Sequence, residues 1–383
     1  MKRKTYRKQK KSVWNHADTA RNLWIAAMLL CGCGGQEAAP TTTAAPTTEA
    51  TTEATTEPAT EPATEPATEP TEPVVTYRHP LNGSILEEPW NGRPITFTIG
   101  NTDDALPQHG IGQADIFCEI TVEGGMTRCM PIFSDISQIN RIGSIRSART
   151  YFISISRAFD AVFIHSGASP FATRLFNQTV VNHLDADPAI FYRDADRASQ
   201  GYAYEHRHFV KGANTSEYLQ EKFDMTPKDD EGFGLNFVDE QTLDGDNATT
   251  ARLYFGNTYG KSTKFVYDEA AGNYVTYRFL ANVKETEWVD GETDEALRFE
   301  NVFILFEVRT NAPGATSGNV LHELVGSNEG YYISGGKVVP IKWSREREDD
   351  PFTFTLTDGT PLNVIPGKTY MGFVPVGSAV EFE

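Results

Sequence analysis

Asp160-Ala161-Val162-Phe163-Ile164-His165-Ser166-Gly167-Ala168-Ser169-Pro170 is the stretch that sets the fold class. Its apolar run is too short for a helix and stops at a small polar loop, which predicts a buried strand. Ser169 followed by Pro170 is a helix start, with a hydroxyl to cap free N–H groups and a proline whose missing donor costs nothing there. Upstream, Ile145, Ala148, Phe152, Ile155 and Phe159 recur at helical spacing, predicting a helix that opens near Gly143-Ser144. Residues 145–180 therefore read helix, strand, loop, helix, the pattern of an α/β layer.

Before this unit, Pro94–Gly100 reads as a strand turning at Asn101. Ala114–Val122 and Thr127–Phe133 flank Glu123-Gly124-Gly125-Met126 as a hairpin, although the period of the first run also allows a helix. After it, residues 226–250 are polar and rich in Asp and Gly, marking a linker. From 251 to 383 the chain reads as strands: Lys264–Asp268 and Tyr274–Arg278 about a turn at Ala271-Gly272-Asn273, then Val302–Val308, Gly330–Ile333, Val338–Trp343, Phe352–Leu356 and Thr369–Val374. The expectation is an α/β domain over 77–225, a mixed sheet with helices, followed by a mostly β domain over 251–383, a small sandwich or curled sheet.

The first 76 residues read differently. Residues 1–32 carry eight Lys or Arg and one acid, Asp18; an apolar run, Leu23–Leu30, then leads into Leu30-Cys31-Gly32-Cys33. Eight apolar residues suit a signal peptide and are far short of the ~20 that span a bilayer. The ending resembles the bacterial lipobox, which predicts cleavage before Cys33, lipidation of its thiol and a membrane anchor. A plain signal peptide cut nearby is the alternative. Residues 33–76 are dominated by Thr, Ala, Pro and Glu with almost no aliphatic side chains, predicting a disordered, extended spacer into the cell wall. The net charge of −18 disfavours nucleic acid as a partner, and any anionic ligand needs a local basic pocket.

Such a pocket is suggested by Arg141-Ile-Gly-Ser-Ile-Arg146-Ser-Ala-Arg149. In the predicted helix Arg146 and Arg149 share a face in the first turns, where the dipole also favours an anion. Guanidinium forks match phosphate or carboxylate. The alternative is pairing with the protein's own acids, such as Glu119 and Glu123. His165 and Ser166 follow one strand and Asn101 another, the position where α/β sheets collect ligands. His165 reads either as an acid/base or as a satisfied buried ring. Ser166 as a nucleophile lacks a recognisable activating motif. His206 and His208 stand at strand spacing, but no further metal-ligand spacing exists, so neither metal nor cofactor is expected. Cys118 and Cys129 read as buried thiols or as a cross-hairpin disulfide.

His79-Pro-Leu-Asn-Gly83, Gly112–Phe117, Val122-Glu-Gly-Gly-Met-Thr-Arg128, Arg141–Arg149 with Tyr151-Phe152, and His165–Pro170 resemble, in that order, the YerB-like lipoproteins of Gram-positive bacteria, the DUF3048 family. The similarity continues through Gly330-Tyr-Tyr, Trp343, Asp358-Gly359 and Gly367–Tyr370. The resemblance implies an N-terminal α/β domain, a C-terminal β domain and a lipoprotein address on the outer membrane face. It brings no established activity. Its motif positions fall on Glu123, Arg128, Arg146, Arg149 and His165, and more loosely on His206, where the local sequence departs from the family pattern.

Three functional expectations follow. The first is a non-catalytic envelope protein that binds a wall polymer or wall-synthesis protein through an anion pocket of Arg128, Arg146, Arg149, His165, Glu123, Asn101 and Ser166. The second is a transferase or hydrolase on a phosphate-linked envelope substrate, with Glu123 and His165 as acid/base. The third is an interaction module working through an exposed aromatic patch near Tyr331, Tyr332 and Trp343.

Overall fold

Ile116–Thr121 is buried along its whole length and lies at the centre of a 13-stranded sheet. It pairs antiparallel with Thr127–Phe133, across the predicted hairpin, and parallel with Thr369–Pro375 from the far end of the chain. A strand covered on both faces needs apolar residues at odd and even positions alike, which is why its period looked ambiguous. The computed structural model describes residues 76–227, 232–256, 261–280, 284–314 and 318–383. The predicted export segment, Cys33 and nearly all of the predicted 33–76 spacer lie outside the described residues.

The main path of the sheet runs Asp246–Asn247, Lys337–Arg345, Gly326–Ser334, Asn301–Asn311, Thr369–Pro375, Ile116–Thr121, Thr127–Phe133, Ile95–Phe97, Val162–His165 and His183–Asp185. The region before residue 225 supplies a mixed sheet with helices; the region after 250 is largely antiparallel. That is the fold class predicted from patterning. Both regions contribute strands to this one sheet, so they share a core.

The two faces carry separate apolar clusters. On one, Cys118, Ile120, Phe303 and Phe373 pack with Phe152 and Ile155 of helix α1, Thr150–Ala158. On the other, Phe117, Val302 and Tyr370 meet Leu253, Phe265 and Tyr274 of a second, six-stranded sheet built around Thr250–Tyr254, Lys261–Asp268 and Asn273–Leu280. Cys118 and Cys129 belong to opposite clusters and are free thiols, so the cross-hairpin disulfide does not form.

The predicted helix opening near Gly143-Ser144 is corrected. Helix α1 begins at Thr150, and Arg149 precedes it in extended backbone, φ −130° and ψ 163°. Residues 145–148 are extended because their N–H and C=O groups find partners on neighbouring strands. Ile145 N–H donates to His208 O at 2.8 Å, Arg146 N–H to Thr98 O at 2.7 Å, and Ala148 N–H to Gly167 O at 2.9 Å. Ile145 and Ala148 still face the core, which accounts for the helix-like spacing. The second predicted start holds: Ser169 Oγ accepts from Ala172 N–H at 3.1 Å and Pro170 opens helix α2, Pro170–Phe176.

Candidate anion-binding site

The strands Ile95–Phe97, Val162–His165 and His183–Asp185 run parallel, and ligands collect at the carboxyl ends of such strands. The extended segment 144–149 crosses there, hydrogen-bonded to Thr98 on one side and to residues 166–169 on the other. It carries Arg146 and Arg149 to the place where the hairpin strand Thr127–Phe133 brings Arg128.

Arg128 Nη1 donates to Ser147 O at 2.6 Å, and Arg149 Nη1 reaches the same carbonyl at 3.4 Å. Two guanidinium groups thus share one acceptor. Arg149 also grips Glu123 through Nε at 2.6 Å and Nη2 at 2.9 Å, while Asn319 Nδ2 donates to the same carboxylate at 2.6 Å. Arg146 lays its stem over Gly100, where a Cβ would sit 3.2 Å from its Cγ, and donates to Glu205 O at 2.7 Å.

The charges are unevenly matched. Burial, together with the neighbouring Arg149 and Arg146 charges, lowers the Arg128 pKa to about 9. It is still a cation at neutral pH. Arg146 is lowered too, by burial and by Arg149, against an opposing contribution from Glu205. Burial alone would raise Glu123, but its hydrogen bonds from Arg149 outweigh that and hold it below the usual range. Among the described residues, Arg149 forms a salt bridge to Glu123, whereas neither Arg128 nor Arg146 has a carboxylate within salt-bridge distance.

Other expected members lie elsewhere. Arg141 is held by Asp194 at 2.9 Å and Glu292 at 3.0 Å. It borders a cleft of about 570 Å³ that none of Arg128, Arg146 and Arg149 lines. Asn101 is buried and points inward, donating to Glu119 and Thr127 at 2.9 Å each. Glu119 itself faces Lys261 rather than an arginine. His165 is sealed in the interior, with Nδ1 2.9 Å from Gly167 O and Nε2 3.0 Å from His183 Nδ1, its ring stacked on Phe176. Burial lowers its pKa to about 4. With both nitrogens engaged and no access to solvent, it does not form an acid/base pair with Glu123.

Ser166 does have a partner that sequence reasoning missed. His208 Nδ1 lies 2.6 Å from its Oγ. The two-residue spacing of His206 and His208 was visible, but which strand they faced was not. Burial and the Arg193 charge lower His208 to about 4, and among the described residues no carboxylate hydrogen-bonds to its ring. A neutral imidazole so weakly basic is a poor proton acceptor for a serine. Of the aromatic patch expected near the C-terminus, two members are inside and Tyr331 is part-exposed: Tyr332 donates to Asn301 Oδ1 at 2.7 Å, and Trp343 Nε1 to Phe306 O at 2.8 Å. Among the described residues no cluster of three or more His, Cys, Asp or Glu is placed to hold a metal ion, and no helix is long and apolar enough to cross a membrane.

Fold and site together define a mixed-sheet protein with a basic cluster at the strand ends of its first segment and a β-rich second segment. The chain belongs to the DUF3048 family. Residues 81–225 match "Protein of unknown function (DUF3048) N-terminal domain", and residues 251–371 match the C-terminal domain of the same family. It is 28% identical over 288 residues to "Putative lipoprotein YerB" of Bacillus subtilis (strain 168), covering 74% of this chain and 81% of that one. It also resembles the crystal structure of the YerB protein from Bacillus subtilis, with a TM-score of 0.66 at 24% identity, covering 79% of this chain and 99% of that chain.

Proposed function

We propose that this protein is a lipoprotein of the cell surface, anchored through lipid on Cys33 and extended into the wall by residues 33–76, that binds an anionic envelope component without catalysing a reaction. The ligand is a wall polymer or an acidic face of a wall-synthesis protein. The observation that carries this reading is the Arg128 guanidinium. It is mostly buried, has no carboxylate partner among the described residues, and stands beside two further arginines. A part-buried cation with no counter-charge beside it is costly unless an anion compensates it. The lipobox at Leu30–Cys33 and the name of the Bacillus subtilis relative support the anchor.

Two experiments test it. Metabolic labelling with palmitate should mark the wild-type chain and not Cys33→Ala. The full chain, purified in detergent, should bind isolated wall polymer with an affinity that falls steeply with salt. Arg128→Met and Arg146→Met should each weaken that binding. If both variants bind as the wild type does, the arginine cluster plays no part.

A further inference from the structure

We infer that Tyr151 and Arg309 complete the Arg128 site for a phosphate-type oxyanion, and that Glu123 is its displaceable resident carboxylate. The inference rests on anion binding at Arg128 and names the class of anion.

Tyr151 stands in the first turn of α1 and is 2% exposed. Its hydroxyl has no hydrogen-bond partner among the described residues. Leaving a buried hydroxyl unpaired costs about 1–3 kcal/mol, so such a group calls for an acceptor. The ring is not free to turn toward one. It packs on Phe152 and, edge-on, against His322 at 4.5 Å. His322 is in turn held by Thr121 O at 3.0 Å through Nε2, and its Nδ1 lies 2.9 Å from Glu307. The charged groups that act on the hydroxyl are Glu123, Arg149, Arg128 and Arg309. Arg309 comes from the strand Asn301–Asn311, where it pairs across the ladder with His322, the residue Tyr151 packs against, and it has no ion pair among the described residues.

The inventory is therefore three guanidinium groups and a hydroxyl, all able to donate, against one carboxylate. A site made of donors selects a ligand made of acceptors. A ligand carboxylate offers Arg149 the same two oxygens that Glu123 already supplies. A phosphate group has additional oxygens, which can meet Arg128 and the Tyr151 hydroxyl while two remain on Arg149. Glu123 can yield its place because it opens the Glu123–Gly125 turn. There Gly124 and Gly125 adopt φ of +71° and +73°, and a Cβ on Gly125 would meet nothing within 4 Å.

The test uses the full chain in detergent and titration calorimetry at fixed ionic strength. Its probes are a phosphomonoester, glycerol phosphate, and a dicarboxylate of matched charge, glutarate. The phosphomonoester should bind about tenfold tighter. Tyr151→Phe, which keeps the ring packing, should weaken phosphate binding about fivefold, and Glu123→Gln should tighten it. Equal affinity for the two probes overturns the inference. So does an unchanged Kd in both Tyr151→Phe and Glu123→Gln while Arg128→Met still weakens binding; that outcome leaves the broader anion-binding reading intact. If neither probe binds the wild type, both readings fall.

Discussion

Lys261 Nζ lies 3.5 Å from a Glu119 carboxylate oxygen, with both side chains sealed between the two sheets. Glu119 is further held by Tyr370 at 2.7 Å, Thr263 at 2.8 Å and Thr127 at 2.6 Å. This network joins the central strand of the large sheet to the second sheet. Burial lowers the Lys261 pKa, opposed by the Glu119 charge. Removing the ammonium strands the carboxylate in a dry interior. Lys261→Met should therefore cost about 3–5 kcal/mol, read as a lower urea midpoint. The double variant Glu119→Gln with Lys261→Met should lose less than the single one. A midpoint for Lys261→Met equal to the wild type would show that the pair contributes nothing.

At Gly100 the arginine cluster depends on an absent side chain. A Cβ there would lie 3.0 Å from Ala105 Cβ and 3.2 Å from Arg146 Cγ. Gly100→Val should displace the Arg146 stem, lower stability by about 1–3 kcal/mol and weaken anion binding. Thermal unfolding and calorimetry on the same preparation read both effects; a loss of stability with unaltered binding would separate Arg146 from the site.

Arg345 ties the second segment to α1. It is 2% exposed and donates to Ser154 Oγ and Ser154 O at 2.9 Å each, to Asp350 O at 2.8 Å and to Glu348 O. Burial lowers its pKa to about 10. Arg345→Met removes the donor shared by the buried Ser154 oxygens and the part-buried Asp350 and Glu348 carbonyls, and should cost about 2–4 kcal/mol. Because α1 carries Tyr151, hydrogen exchange should rise in the first turn of α1 as well as near residue 345; a change confined to the latter would refute the coupling.

His165 sets a pH dependence. Its ring is held neutral in the fold, with the pKa lowered by burial from 6.5 to about 4. The unfolded chain binds the proton first, so this stabilising contribution is complete above pH 6.5 and is lost as pH falls toward 4. The full effect is on the order of 3 kcal/mol. His165→Gln should flatten the stability profile between pH 6.5 and 4. An unaltered slope would mean that another group is responsible.

Local signals were legible wherever they act within a few residues. The Ser169-Pro170 helix start, the glycine turn at 124–125 and the hairpin at 271–273 each follow from backbone preferences of the residues present. The apolar strand Val162–His165 was legible for the same reason. The spacing of Ile145, Ala148 and Phe152 misled because an extended run and a helix can both bury those positions, and only strand partners at Thr98, Gly167 and His208 select between them.

By itself the sequence determined the two-segment layout and the residue types available for an anion. Tertiary structure alone decided which arginines meet. It sent Arg141 to Asp194 and Glu292, brought Arg128 to the Ser147 carbonyl beside Arg149, and packed Tyr151 on His322, the strand partner of Arg309. The physical reason is that strand pairing across more than 200 residues, such as Ile116 with Thr369, fixes the face on which each side chain emerges, and no local preference encodes that choice.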